Sequence, residues 1–242
     1  MLEVRGLPDE KSAEVIVRKK ILVTGCGRCG TKYFAAVLRS VGFQVHHERM
    51  GADGISSWYM ATEANRVPLG PPPANYTFEH TFHLVRHPLS AIPAISSLTD
   101  ESWDYISQYV LMDASDSRLL KSAKYWYFWN ELAERKANRL VRVEDLTQII
   151  DQIEQELGVV IDHNAVENVP RNVNSRKVCK IYHWIEELLL RLGLPSWVAL
   201  LGRVPVLRPD RASLPELTWE SLRQLSPDLA GRIQQKAAQY GY

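Results

Sequence analysis

The chain alternates short apolar runs with longer segments whose apolar residues recur three and four positions apart. Val15–Thr24 begins as a charged approach and tightens into Ile21–Thr24, which runs directly into Gly25-Cys26-Gly27-Arg28-Cys29-Gly30-Thr31-Lys32. Phe34, Val37 and Leu38 then fall at helical spacing, so this region predicts a buried strand, a glycine-rich turn and a helix. Gly42–His46 predicts a turn entering a second strand. Phe82–Val85 predicts a strand ending at Arg86-His87-Pro88, and Leu140–Val143 a short one ending at Glu144-Asp145-Leu146. Trp103–Leu111, Tyr125–Ala137, Ile181–Leu192, Trp219–Leu225 and Pro227–Tyr240 have helical periodicity, the last two separated by the break at Pro227. Asp53–Tyr76 carries Pro68 and Pro71–Pro73 and reads as a surface connection or substrate-access loop. Asp162–Lys177, polar and basic, reads as an exposed loop. The alternation predicts an α/β fold, a P-loop-like domain with a central parallel sheet flanked by helices. With no repeat, coiled coil or break in composition, a single domain over residues 1–242 is expected.

Composition narrows the class. Hydrophobic residues make up 45% and charged residues 24%, which excludes a disordered chain. Lys and Arg total 29 against 28 Asp and Glu, a net charge of +1, so nucleic acid is not an expected partner, although a local basic cleft is compatible with that balance. Cys26, Cys29 and Cys179 cannot all be used in one intrachain disulfide framework. The C-x-x-C spacing of the first two alone suggests redox chemistry or half a zinc site, and two ligands do not complete one. Reduced cysteines in a cytoplasmic enzyme are the simpler account. Met1–Ser12 contains early acids and no apolar core, so no signal peptide is expected. Nor is an integral membrane segment expected. Leu188–Leu207 is interrupted by Arg191, Pro195, Arg203 and Pro205 and reads as helical packing plus a turn, or as a flap facing a membrane or an acceptor. Peripheral membrane association is compatible with that second use, and the oligomeric state is not specified.

The glycine loop carries the chemistry. Gly25, Gly27 and Gly30 let the backbone approach negative oxygens, and the start of the next helix supplies unpaired amide donors. Arg28 and Lys32 add cations, and Thr31 adds a hydroxyl donor. An ATP-type P-loop has the order G-x-x-x-x-G-K-S/T. Here Gly30 is followed by Thr31 and then Lys32, which displaces both the β/γ-phosphate cation and the magnesium hydroxyl.

Thr24–Thr31 resembles the 5′-phosphosulfate loop of sulfotransferases that use 3′-phosphoadenosine 5′-phosphosulfate, PAPS, and the likeness is to the bacterial type. The resemblance implies that Arg28 contacts the transferring sulfate and that Gly30, Thr31 and Lys32 surround the 5′-phosphate, with Gly25, Gly27 and Cys29 completing the loop. Val85-Arg86-His87-Pro88 resembles the family's 3′-phosphate motif, which assigns Arg86 to that phosphate. The family's serine eight residues later is Ala94 here, with Ser96 or Ser97 as a substitute. Asn174-Ser175-Arg176-Lys177 resembles a nucleotide-covering loop and makes Arg176 and Lys177 candidates. The resemblance thus divides the chain into a phosphate-loop unit at 15–41, a covering loop at 162–180 and a terminal helical segment at 216–242.

It further implies direct in-line sulfuryl transfer, with 3′-phosphoadenosine 5′-phosphate, PAP, as product and no required metal. The acceptor is a hydroxyl-bearing small molecule, carbohydrate or lipid. Glu48 matches the family's carboxylate base, and His47 is the alternative proton acceptor. If the segment stays a strand, residues 47 and 48 point to opposite faces. His46 is expected to pack or face solvent. Asp145 is read as a strand-end polar group able to orient a cation. Trp126, Tyr127 and Trp129 are expected mainly in a helical core, with contact to adenine or acceptor as their other use. An ATP-dependent small-molecule kinase and a noncatalytic protein binding nucleotides or sulfated ligands are the competing readings. A kinase needs an ordered magnesium position, and a binding module needs no base in the pocket.

Overall fold

In a computed structural model, which describes residues 16–62, 75–146, 148, 150–170, 185, 188, 189 and 216–242, the first strand, β1, spans Ile16–Thr24. The sequence suggested a strand only from Ile21. The charged stretch before it extends the strand because it pairs with the first half of a later one, β4 at Asn75–Val85. The register runs from Ile16 opposite Asn75 to Thr24 opposite His83. Only the last four residues of β1 and the last five of β4 are buried. Lysine is tolerated in the open half because Lys19 Nζ donates to the Gly51 and Ala52 carbonyls at 3.1 Å and Lys20 lies over the Phe43 ring.

β2 (Val45–His47) and β3 (Gly54–Ser56) lie on one side of β1, and β4 and β5 (Arg139–Arg142) on the other. The order is β2-β3-β1-β4-β5 and every pairing is parallel, giving the expected α/β domain with a central parallel sheet and flanking helices. β3 is a correction to the sequence reading, which had placed Asp53–Tyr76 in a connection. Three residues beginning with glycine show no periodicity. Pairing of Gly54 with both Val45 and Ile21 makes them a strand. A short 3-10 turn follows at Trp58–Ala61. Pro68 and Pro71–Pro73 lie outside the described residues.

Helix α1 (Thr31–Ser40) covers one face, with Phe34 edge-on to Phe82 at 5.6 Å between ring centres. The next residue on β4, His83, points to the opposite face, as strand alternation requires. There its imidazole is 3.0 Å from Asn130 Oδ1 on the long helix α4, counted after α2 (Pro88–Ile95) and α3 (Asp100–Ile106). α4 spans Arg118–Lys136, seven residues earlier at its start than the periodicity suggested. Ser117 caps it by accepting the Leu120 N–H at 3.2 Å. Tyr125, Trp126 and Trp129 are fully buried, and Tyr127 nearly so, so these aromatics serve the core. The Trp129 indole donates to the Trp58 carbonyl at 3.0 Å, tying α4 to the turn after β3.

α5 (Ile150–Leu157) and α6 (His163–Glu167) follow β5. α6 lies in part of the segment expected as loop, where Asp162 caps it through the Asn164 N–H at 2.9 Å. Residues 171–177 and nearly all of Ile181–Leu192 and Leu188–Leu207 lie outside the described residues. α7 (Trp219–Leu225) and α8 (Pro227–Gln239) close the chain. Their ends seal the β4 exit. His87 stands edge-on to Tyr242 at 5.1 Å, and the Tyr242 hydroxyl donates to Glu144 at 2.7 Å. Among the described residues no helix is long and apolar enough to cross a membrane.

Because Trp129 is fully buried and hydrogen-bonded, Trp129→Ala is expected to lower unfolding free energy by about 3–5 kcal/mol. Urea denaturation checks this; a loss within experimental error would remove Trp129 from the core that fixes the turn after β3.

Candidate active site

The glycine loop leaves β1 across the ends of its neighbours. A Cβ on Gly25 would stand 2.1 Å from the Leu84 carbonyl oxygen, and one on Gly30 would stand 2.5 Å from Val143 Cγ2. Gly30 also has φ +104, which a side chain would strain. Within the loop, the Cys29 N–H donates to the Cys26 carbonyl at 3.3 Å and the Gly27 N–H to the Tyr125 hydroxyl at 2.7 Å. Arg86 donates from Nη1 to the Arg28 carbonyl at 3.3 Å, while the Arg86 carbonyl accepts from the Trp126 indole at 3.2 Å. α1 begins at Thr31 with no side-chain cap. The positive end of its dipole thus points at the loop, where it would favour an anion.

The second half of the site comes from the end of β2. His47 Nε2 is 3.2 Å from Thr31 Oγ1 and 3.7 Å from Glu48 Oε1. The alternation that would have separated residues 47 and 48 does not apply, because β2 stops at His47 and Glu48 has φ +57. Its backbone N–H nevertheless donates to the Ser56 carbonyl at 3.0 Å, and the Ser56 hydroxyl donates to the Thr31 carbonyl at 2.7 Å. β3 therefore ties the loop and the Glu48 segment to one frame.

Among the described residues, Arg28 (φ +70) and Glu48 are the non-glycine residues with left-handed backbone. Each such conformation costs about 1–2 kcal/mol, and persists only where the surroundings over-determine it. Burial pushes the Glu48 carboxyl above the usual carboxylate range. A hydrogen-bonding contact from Trp58 and the charges of Arg28 and Lys32 oppose that shift without cancelling it. The carboxylate is thus partly desolvated and in the field of both loop cations.

Other candidates fall differently. His46 belongs to packing, as expected: burial, Arg39 and Arg49 depress its basicity, and its ring lies against Gly51. The C-terminal end of α2 does approach the loop, since Leu98 Cδ1 would be 3.7 Å from a Cβ on Gly27. Ser96 and Ser97 there donate to the Pro93 and Ala94 carbonyls, at 2.6 and 2.5 Å, which commits their protons within the helix end. Cys26 and Cys29 are fully buried in the loop's interior. Asp145 accepts from Arg142, the cation-orienting use anticipated for it. Arg176 and Lys177 lie outside the described residues. Sequence reasoning missed Trp58, Tyr125 and Ser56 as supports of the site. Trp58 and Ser56 were hidden with β3, whose recognition would have placed them at the ligand-binding carboxyl ends of a parallel sheet.

The fold and site together define an α/β protein with a glycine-rich loop at the carboxyl end of its parallel sheet and a half-buried carboxylate beside it. No family model matches the chain, and no curated protein matches it. Among solved structures, mouse sulfotransferase SULT7A1 complexed with PAP is similar at 11% identity and a TM-score of 0.36, over 92% of this chain and 89% of that one. A superposition so loose does not assign residues.

Two measurements test the electrostatics. With its carboxyl held above the usual range, the folded protein keeps a proton on Glu48 in a pH window where the unfolded chain has lost it, so this group's contribution to stability falls as pH rises through that window. Glu48→Gln is expected to gain stability over the parent at pH above the window and to lose that advantage below it, as read by urea midpoints. An advantage independent of pH would contradict the shift. Trp58→Phe, which removes the indole donor, is expected to move the Glu48 carboxyl titration further upward in carbon-13 NMR; a downward move would show that the indole does not stabilise the ionised form.

Proposed function

We propose that this protein transfers a sulfuryl group from PAPS to a hydroxyl-bearing acceptor by direct in-line displacement. The observation that carries the reading is the placement of the two strained residues: Arg28, the expected transfer cation, and Glu48, the expected base, occupy left-handed backbone and interact electrostatically across the loop. Strained backbone clusters at functional sites, and here it falls on the two residues whose charges would act on the transfer.

The residues fit the donor. The Gly25–Thr31 backbone and the uncapped start of α1 would hold the 5′-phosphate, with Lys32 beside it, while Arg28 would lie on the sulfuryl side. Arg86 spends one N–H on the Arg28 carbonyl and retains others for the 3′-phosphate. PAPS supplies a sulfate already activated by its phosphate bond. In the transfer, the acceptor oxygen bonds to sulfur as the bond from sulfur to the bridging phosphate oxygen breaks, and PAP departs with that electron pair. Arg28 would stabilise the charge growing on the bridge. Glu48 would take the acceptor proton, and its raised basicity favours that role. His47, touching both Thr31 and Glu48, is the alternative acceptor. Carbohydrates, phenols and lipids are the acceptor classes. An ATP-dependent kinase is less well supported, because Thr31 and Lys32 are shifted from the magnesium and β/γ-phosphate positions.

Calorimetry should show PAP bound more tightly than ATP, with Arg86→Ala weakening PAP by about 1–3 kcal/mol. Equal affinities for PAP and ATP would refute the donor assignment. Single-turnover transfer from labelled PAPS, first screened over alcohols, phenols, carbohydrates, amines and lipids, tests the chemistry. Glu48→Gln should slow the transfer step severely, and an unchanged rate across the pH range would reject Glu48 as the base.

A further inference from the structure

The phosphate loop contains a pair of thiols that sulfuryl transfer does not use. Cys26 and Cys29 are the first and fourth residues of a tight turn closed by the Cys29 N–H to Cys26 carbonyl bond at 3.3 Å, with left-handed Arg28 at its third position. The ends of such a turn lie within about 7 Å between Cα atoms, and a disulfide spans roughly 4.4–6.8 Å. Both cysteines are free and fully buried. Cys29 Sγ turns back on the first residue of the turn, donating to the Cys26 carbonyl at 2.6 Å, and the two thiols interact electrostatically. Burial and the neighbouring Cys26 hold the Cys29 thiol well above its ordinary range, and the Arg86 guanidinium opposes that shift without cancelling it, so a thiolate forms only when the loop opens to water.

We propose that Cys26 and Cys29 are an oxidation site at which a small peroxide closes a reversible disulfide inside the phosphate loop, weakening its hold on anions. With both thiols closed to water, a peroxide reaches them only through transient opening of the loop, which a small oxidant needs least. One thiolate attacks a peroxide oxygen, the O–O bond breaks, and a sulfenic acid and hydroxide form. The second thiol attacks the sulfenic sulfur. The S–S bond forms as the S–O bond breaks, and water leaves with the thiol proton. Two thiols and one peroxide thus give one disulfide and two waters. Closure takes Cys29 Sγ off the Cys26 carbonyl and cross-links the turn on either side of Arg28. The peptides between the two sulfurs, already anchored at Gly27 by the Tyr125 hydroxyl, then lose the freedom to adjust to an incoming anion.

The loss of PAP affinity rests on the transfer reading; the disulfide itself does not. The test uses the full chain with Cys179→Ser, so that only one pair exists. Graded hydrogen peroxide should remove two hydrogens from the intact mass, map the crosslink to the Cys26–Cys29 peptide, and be reversed by dithiothreitol. Adding Cys26→Ser should abolish the loss. The oxidised protein should bind PAP roughly tenfold or more weakly than the reduced one, and amides 25–31 should exchange hydrogen more slowly. No loss of hydrogens at doses that oxidise the unfolded chain overturns the proposal, as does a disulfide that leaves both affinity and exchange unchanged. If the reduced protein binds no PAP, the transfer reading fails, and mass with exchange still decides the disulfide.

Discussion

The contact of the glycine loop with the ends of β4 and β5 is the constraint from which the rest of the site follows. Gly25 sits where any side chain would collide with the Leu84 carbonyl, and Gly30 where one would collide with Val143. The chain therefore turns immediately off the sheet edge and enters α1 within six residues. That tight path puts Arg28 in left-handed backbone, lets its carbonyl meet Arg86, and leaves the first turn of α1 facing the loop.

Opposite the loop, burial and charge compete at Glu48, and burial prevails. The nearby cations and the Trp58 contact stabilise the ionised form, yet removal from water still raises the carboxyl. The group remains ionisable while its basicity increases, the combination that proton acceptance needs. Neither effect would exist if β2 continued past His47, because Glu48 would then follow the pleat.

The aromatic content of α4 supports this arrangement from below. Trp129 holds the Trp58 carbonyl, Trp126 holds the Arg86 carbonyl and Tyr125 holds the Gly27 amide, so one buried helix face touches three parts of the site. Trp58 itself is tilted against Tyr59 at 3.8 Å and edge-on to Tyr125 at 6.0 Å between ring centres. Packing of this density restricts rotamers, which converts core stability into positional accuracy at the loop.

Local pattern was enough to specify the strand, glycine turn and helix around Gly25–Lys32, the Arg86 strand exit, and the two terminal helices, since each depends on side chains close in sequence. Arg28 and Lys32 could be named as candidates for the same reason, from their type and glycine neighbours, whereas Arg86 and Glu48 became candidates through the family resemblance. β3 was not legible, because three residues acquire strand identity only from partners on both sides. The convergence of Glu48 on the loop, the strained backbone of Arg28 and Glu48, and the supports Trp58, Tyr125 and Ser56 were decided by tertiary structure alone. Gly27 and Tyr125 are 98 positions apart, and no periodicity in a chain encodes which distant hydroxyl will face a given amide.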